Sequence, residues 1–349
     1  MPLGFPRQGA ERHYIFPAPT PGATLSRAVI YPNLPHAMLK ALRFFLFPLL
    51  AICLTLPAVA QSWALPKISV TSLRSQGRHS AEQVSQVVMG TPLKVLSADG
   101  DWWKVRTPEG YEGFVRSNTL QGLSDSDMAH WRHSQRVAVC TDRTVYLLAS
   151  PSKDADRVTD LVSGSILTVL PDDKQGDNFL RVALPDGREG YLRLKLAMPL
   201  EKWASQTFDP AKMPVYAQRF MGAPYVWGGT SLKGMDCSGL VQICAYNQGI
   251  MMPRDASQQV AVGQKIDKSN PSEFLAGDLL FFGNTKTGKI THVAISMGGS
   301  TYIHSSARVR ISSLDPASPL YENPGLIAVR RIDPSTAASL SLSAHRFYF

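Results

Sequence analysis

The sequence has few cysteines, and none of them forms a Cys-x-x-Cys pair. The four present in 349 residues are Cys53, Cys140, Cys237 and Cys244. Cys53 lies in a predicted leader, so an odd number remains, which excludes a complete disulfide framework. Without paired cysteines a zinc site is not expected, and we predict no metal and no other cofactor. We expect Cys140 and Cys244 to be buried core thiols.

Long basic runs and long apolar runs are also missing. The formal net charge is +9, but no arginine-rich or aromatic-interleaved basic patch is present, which argues against a nucleic-acid partner. The most apolar run, residues 44–57, is shorter than the ~20 residues of a membrane-spanning helix. A hydrophobic content of 44% in 349 residues indicates a globular protein of two or three domains.

This apolar run lies in a segment organised like a secretory signal peptide. Lys40 and Arg43 provide a basic region before it, and Ala-Val-Ala at residues 58–60 follows as a cleavage site. We therefore expect residues 38–60 to be a signal peptide and the mature protein to be exported to the periplasm or cell envelope, without a stable membrane anchor. Translation is expected to start at Met38; the alternative is that the upstream extension, from residue 1, is translated and disordered.

Two stretches of short strands and turns repeat each other along the chain. Residues 103–116 align with residues 180–193 around Pro-Glu-Gly and Pro-Asp-Gly turns, and residues 90–96 match residues 164–170. An internal repeat of this kind indicates two copies of one unit. Each copy has ~60 residues of short strands, which is typical of a small barrel.

Cys237 stands at the entrance of a predicted helix. A glycine-rich loop, YVWGGT at residues 225–230, leads through Asp236 into the apolar-periodic segment 240–246. Asp236 is a suitable N-cap, which puts Cys237 in the first turn. The helix dipole favours a thiolate there, so Cys237 is a candidate nucleophile.

Two histidines follow in a predicted β-hairpin. His292 lies in the alternating segment 290–297 and His304 in the segment 301–305, with Gly-Gly between them as a hairpin signal. On neighbouring strands the two rings can share one face of the sheet. One histidine can then take the thiol proton while the other orients the first ring, as in catalytic triads.

In this order the motifs resemble the NlpC family of papain-like cell-wall cysteine peptidases. The resemblance covers residues 205–335 and includes YVWGG, DCSG, AGDLLFF at residues 276–282 and THVAI at residues 291–295. It implies the following catalytic roles: Cys237 as nucleophile, His292 as base, His304 as orienting residue, and Tyr225 as a group that helps to hold the oxyanion.

The repeated units resemble bacterial SH3-like domains, which commonly accompany cell-wall enzymes. We therefore predict an α+β protein in which two small SH3-like β-barrels, residues 61–125 and 134–200, precede a papain-like NlpC catalytic domain, residues 205–349. This combination resembles γ-D-glutamyl–diamino acid endopeptidases that act on peptidoglycan stem peptides. In that branch the first SH3-like domain closes one end of the groove and binds the free amine of an N-terminal L-Ala.

The resemblance extends to substrate contacts. Glu82 and Tyr111 look like the amine-binding pair, since a buried ammonium needs a carboxylate partner. The guanidinium of Arg254 suits a substrate carboxylate, although a surface arginine at a helix start is the alternative. The other predicted contacts are Asp236, Ser238 and Asp255.

Other functions remain open at this point. A hydrolase of intact, crosslinked peptidoglycan would use the SH3-like domains for adhesion. A non-catalytic wall-binding protein would not need the cysteine, and a thiol acyltransferase would need an acyl donor, for which no lipid-binding segment is evident. The expected partners are peptidoglycan peptides in the favoured interpretation.

Overall fold

The structure, a computed structural model, describes residues 61–171 and 178–349. The predicted signal peptide and its upstream extension, residues 1–60, lie outside the described residues. Among the helices of the described part, none is both long and apolar enough to cross a membrane.

The first sheet is built from seven short antiparallel strands, and small apolar side chains such as Leu73, Val105 and Val115 fill its interior. The strands are β1 (Trp63–Pro66), β2 (Val70–Arg74), β3 (Gln83–Val88), β4 (Leu93–Asp99), β5 (Trp102–Arg106), β6 (Glu112–Arg116) and β7 (Leu120–Leu123). Their order in the sheet is β3-β2-β6-β5-β4-β1-β7. A short 3-10 helix, Ser117–Thr119, precedes the last strand.

A helix separates this sheet from a second one. Helix α1 (Asp125–His133) begins with a capping box between Ser124 and Asp127, and it buries Met128 and Trp131. The strands after it are β8 (Arg136–Val139), β9 (Val145–Leu148), β10 (Arg157–Leu161), β11 (Ile166–Val169), β12 (Phe179–Ala183), β13 (Glu189–Arg193) and β14 (Ala197–Pro199), with the 3-10 helix Leu194–Leu196 before β14.

The second sheet has the same strand order as the first, β10-β9-β13-β12-β11-β8-β14. The Pro-Glu-Gly and Pro-Asp-Gly turns occupy equivalent places, and Gly110 and Gly187 both adopt positive φ there, 88° and 84°. The repeat seen in the sequence is therefore matched by a repeated strand topology.

The remaining chain forms a six-stranded antiparallel sheet with helices packed on it. The helices are α2 (Leu200–Ala204), α3 (Lys212–Gln218), α4 (Cys237–Tyr246), α5 (Ala256–Gln259) and α6 (Pro334–Ser339), with 3-10 helices at Pro271–Glu273 and Leu342–Ala344. The strands are β15 (Thr230–Ser231), β16 (Gly234–Met235), β17 (Gln264–Ile266), β18 (Leu279–Asn284), β19 (Lys289–Gly298), β20 (Thr301–Ser306), β21 (Arg308–Ser313) and β22 (Leu326–Arg331). The large sheet has the order β17-β22-β18-β19-β20-β21, and β15 pairs with β16. The predicted α+β class is confirmed.

Helix α4 is the centre of this third part. It is apolar around most of its circumference, and Leu240, Val241 and Cys244 are almost fully buried, which is the pattern of a core helix. It packs against β19, whose inward residues Val293 and Ile295 lie in the same hydrophobic cluster. The start of α4 is thereby held against the strand that carries His292.

Candidate active site

The thiol of Cys237 is buried in the first turn of α4. Asp236 caps this helix by accepting the Gly239 amide at 2.7 Å, as the sequence predicted. The backbone amides of Val293 and Ser238 both act on the Cys237 sulfur as hydrogen-bond donors. Because Val293 follows His292 directly in β19, this contact places the strand segment of the histidine beside the thiol.

Burial sets the protonation states of Cys237 and His292. Burial and, to a smaller extent, the Asp236 carboxylate raise the pKa of the Cys237 thiol to about 11, although the Val293 and Ser238 amides act against this rise. Burial also lowers the pKa of His292 to about 4. The resting site therefore contains a thiol and a neutral imidazole. The expected thiolate does not form at rest, because desolvation outweighs the field of the helix N-terminus.

The two predicted histidines meet as diagonal neighbours on adjacent strands. Ile295 of β19 lies opposite Ile303 of β20, and this register puts His292 and His304 on one face. His292 Nε2 lies 2.8 Å from His304 Nδ1. Since Nε2 of His292 is occupied by His304, Nδ1 is the ring nitrogen left to act as a base.

His304 is buried, and its far side contacts groups that sequence reasoning missed. Its Nε2 lies 3.2 Å from Ser312 Oγ and 3.8 Å from Glu322 Oε2. Ser312 is on β21, and Glu322 is in the loop between β21 and β22. No motif marks either residue, because only the pairing of β20 with β21 and the return of the loop bring them behind the histidine.

Tyr225 lies close enough to Cys237 for the charge of a thiolate there to act on its hydroxyl. Burial, together with the charges of Cys237 and Asp236, raises the pKa of Tyr225 to about 12. The phenol therefore keeps its proton at neutral pH and can donate a hydrogen bond, as an oxyanion site requires.

Arg254 lies inside the protein, so the surface-arginine alternative is wrong: only 2% of the residue is exposed. Its Nη2 is 2.6 Å from Asp236 Oδ2, its Nη1 donates to Ser238 Oγ at 2.9 Å, and its Nε donates to Ser85 Oγ at 3.0 Å. The carboxylate that Arg254 binds in this structure is Asp236, and its contact with a substrate carboxylate stays a prediction. Asp236 and Ser238 are likewise buried and paired with Arg254. These three residues brace the start of α4.

The other three predicted contacts converge at the seam between the first sheet and the third part. The Tyr111 hydroxyl hydrogen-bonds the Asp255 carboxylate, and the charge of Glu82 acts on both groups. Glu82 also accepts a 2.7 Å hydrogen bond from Trp227 Nε1. Burial raises the pKa of Asp255, and Glu82 adds to the rise. Arg254, the cation whose charge acts on Asp255, is already paired with Asp236.

Comparison with known protein families identifies two stretches of the chain. Residues 222–330 match the NlpC/P60 family, and residues 69–121 match the bacterial SH3 domain family. The first match contains Cys237, His292 and His304, and the second covers most of the first sheet.

Relatives align over most of the described chain. Dipeptidyl-peptidase 6 of Lysinibacillus sphaericus is 31% identical over 250 residues, which cover 69% of this chain and 88% of that protein. The gamma-D-glutamyl-L-lysine dipeptidyl-peptidase of Bacillus subtilis (strain 168) is 29% identical over 257 residues, which cover 71% and 80%. Among solved structures, an NlpC/P60 family protein from Bacillus cereus shares the fold with a TM-score of 0.64 at 24% identity, covering 77% of this chain and 99% of that one.

Proposed function

Because the chain belongs to the NlpC/P60 family and is a cysteine peptidase, we propose that it hydrolyses the γ-D-glutamyl–diamino acid bond of peptidoglycan stem peptides with a free N-terminal L-Ala. One observation carries the proposal: Glu82 and Tyr111, from loops of the first sheet, act on Asp255, whose chain neighbour Arg254 pairs with Asp236 directly before Cys237. Two carboxylates and a hydroxyl in this position suit an ammonium group.

The relatives named dipeptidyl-peptidases agree with an amine-recognising site. A dipeptidyl-peptidase releases two residues at a time, so it must measure the distance from the free amine to the scissile bond. We propose that in this chain the distance from an ammonium at Glu82 and Asp255 to the thiol of Cys237 corresponds to a dipeptide. The dipeptide would be L-Ala-γ-D-Glu, and the leaving group would be the amine of the diamino acid.

The chemistry follows from the arrangement of Cys237, His292 and Tyr225. His292 takes the thiol proton through Nδ1 as the sulfur attacks the γ-carbonyl carbon of the D-glutamyl residue. The Tyr225 hydroxyl and the start of α4 stabilise the negative charge on the carbonyl oxygen, where one good donor typically contributes about 3–4 kcal/mol. The protonated His292 then gives its proton to the leaving amine. Water, deprotonated by the same ring, hydrolyses the thioester.

We also propose that the second sheet is another SH3-like domain. Its strand order is that of the first sheet, which matches the bacterial SH3 domain family. The proposed domains are residues 61–125 and 134–200, followed by the catalytic domain at residues 205–349. For the location we propose the cell envelope, because the proposed substrate comes from the cell wall and residues 38–60 have the pattern of a signal peptide.

The proposal is tested with L-Ala-γ-D-Glu-diaminopimelate, with and without an N-acetyl group, and products are followed by mass spectrometry. We expect acetylation to lower kcat/KM by ~100-fold or more, since it removes the ammonium that Glu82 and Asp255 would bind. Glu82→Gln should lower kcat/KM for the free peptide by ~10–100-fold, the effect of one charged hydrogen bond. Glu112→Gln, which removes an exposed carboxylate paired with Arg106 in the same sheet, is the matched control.

Equal rates for the two peptides would show that the amine assignment is wrong. Release of peptides from purified sacculi at rates like those for soluble peptide would favour the wall hydrolase instead. Cleavage that survives Cys237→Ala would overturn the peptidase mechanism altogether.

A further inference from the structure

A chain of polar contacts continues from His304 to an acidic residue. Ser312 Oγ, 3.2 Å from His304 Nε2, donates to Glu322 Oε2 at 2.9 Å. Arg310 donates to Ser312 Oγ at 3.1 Å and pairs with Glu322 Oε2 at 2.7 Å. His304 and Ser312 are each 1% exposed, whereas the Arg310 and Glu322 side chains are 32% and 34% exposed.

We propose that Glu322 is a positioning residue: through Ser312 and His304 it holds His292 in the tautomer that presents an unprotonated nitrogen to Cys237. The inference rests on the proposed function and deepens its mechanism. Glu322 contacts Ser312, Ser312 contacts His304, and His304 contacts His292, so Glu322 acts on His292 through the two residues between them.

The ionised Glu322 determines which atoms carry protons in the hydrogen bonds from Ser312 to His304. An ionised carboxylate can only accept hydrogen bonds, and a guanidinium can only donate them. Ser312 Oγ receives a hydrogen from Arg310, so its own single proton is free to go to Glu322. That leaves the serine oxygen as an acceptor towards His304, whose Nε2 must then carry the proton.

The tautomer of His304 in turn determines the tautomer of His292. A neutral histidine with a proton on Nε2 has an unprotonated Nδ1. His304 Nδ1 therefore accepts, and His292 Nε2 donates to it across 2.8 Å. The remaining nitrogen, His292 Nδ1, is left without a proton, which is the form a general base needs.

With the opposite tautomers of His304 and His292, the hydrogen bond between Ser312 and Glu322 would be lost. If His304 donated through Nδ1, its Nε2 would need the serine proton, and Ser312 Oγ and Glu322 Oε2 would face each other at 2.9 Å without a hydrogen between them. His292 would then carry its proton on Nδ1, facing the thiol, and could not accept another there. The negative charge of Glu322 therefore favours the tautomer in which His292 Nδ1 is unprotonated.

The neighbouring charges also shift the pKa values of the two histidine rings. Glu322 and Asp236 raise the pKa of His292, whereas burial and Arg310 lower it. For His304, burial, His292 and Arg310 lower the pKa and Glu322 raises it. Removal of the Glu322 charge should therefore lower the pKa of both rings and move the acid limb of activity to lower pH.

The test compares Glu322→Gln and Ser312→Ala with the unchanged enzyme by ¹⁵N NMR of labelled histidine and by steady-state kinetics. In the unchanged protein we expect His292 as the Nε2–H tautomer. In Glu322→Gln the amide can donate as well as accept, so a tautomer mixture is expected, with kcat lowered ~10-fold or more and KM nearly constant, as for loss of part of a general base. Ser312→Ala should have the same two effects, because it interrupts the relay, that is, the series of hydrogen bonds from Glu322 through Ser312 and His304 to His292.

Asp278→Asn is the matched control. It removes another carboxylate–arginine pair of the same sheet, with Arg331 at 2.7 Å, and it should lower the unfolding midpoint without changing the His292 tautomer. If Glu322→Gln keeps both the tautomer and kcat of the unchanged enzyme, the inference is overturned. The NMR readout needs no substrate, so a tautomer change in a protein that fails to cleave the proposed peptide would support the relay and reject only the substrate.

Discussion

Two buried residues, Cys237 and His292, decide how the thiol is activated. Burial favours the neutral form of each, with a pKa of about 11 for the thiol and about 4 for the imidazole. Proton transfer therefore accompanies attack on the substrate and is not complete beforehand. The position of Val293, whose amide contacts the sulfur, keeps the two groups together during this step.

This state of the free enzyme predicts a broad pH profile. The active form has an unprotonated His292 and a protonated Cys237, so kcat/KM should fall on the acid side only as the pH drops towards about 4. On the alkaline side it should fall near pH ~8, where the α-ammonium of the proposed peptide loses its proton, and again as the pH rises towards about 11. The sign follows because protonation of His292 removes the base, and ionisation of the thiol removes the proton needed for the leaving amine. Steady-state rates on the proposed peptide check it; an acid limb near the ordinary histidine pKa of about 6.5 would contradict it.

At the level of the secondary-structure element, the start of α4 depends on a buried ion pair. Asp236 caps the helix and also pairs with Arg254 at 2.6 Å. Arg254 in turn donates to Ser85 in β3, so the same cluster ties the nucleophile helix to the first sheet. A substitution here should affect both helix stability and the contact between the sheet and the catalytic part.

We predict that Asp236→Ala and Arg254→Met each lower the free energy of unfolding by about 3–5 kcal/mol, because each leaves its partner as an unpaired buried charge. The double variant should lose less than the sum of the two, by about 1–3 kcal/mol, since no unpaired charge remains. Denaturant unfolding of the four proteins measures this cycle. Additive losses would mean that the pair does not act as a unit.

Across the whole molecule, one hydrophobic cluster joins the three parts. It contains Trp63 of the first sheet, Ile166 of the second, Trp203 of α2, and Phe347 and Tyr348 near the C-terminus. The Tyr348 carbonyl also accepts a 2.7 Å hydrogen bond from the buried Arg136. The last residues of the chain therefore hold both sheets against the catalytic part.

Tyr348→Ala should cost about 3–5 kcal/mol, the usual range for loss of a buried aromatic ring. Phe349→Ala, a neighbouring ring that is 37% exposed, should cost about 1 kcal/mol or less and is the control. Because the cluster is shared, tryptophan fluorescence and peptidase activity should be lost together in one denaturant transition. Separate transitions in the unchanged protein, or equal costs for the two variants, would be evidence against a shared core.

Local signals in the sequence were sufficient for the nucleophile helix, the histidine hairpin and the repeated turns. Asp236 at an N-cap, the Gly-Gly pair before residue 301 and the Pro-x-Gly turns each act within a few residues of the chain, so they can be interpreted without the fold. The resemblance to known motifs supplied the roles of Cys237, His292 and His304.

The tertiary structure decided what depends on distant residues meeting. Glu322 reaches His304 only because β21 pairs with β20 and the following loop returns behind it. Arg254 faces inward because Asp236 and Ser85, far away in the chain, provide its partners. The thiol is neutral at rest because packing of α4 on β19 removes water from it. Desolvation and long-range pairing are properties of the folded chain, and no local pattern in the sequence encodes them.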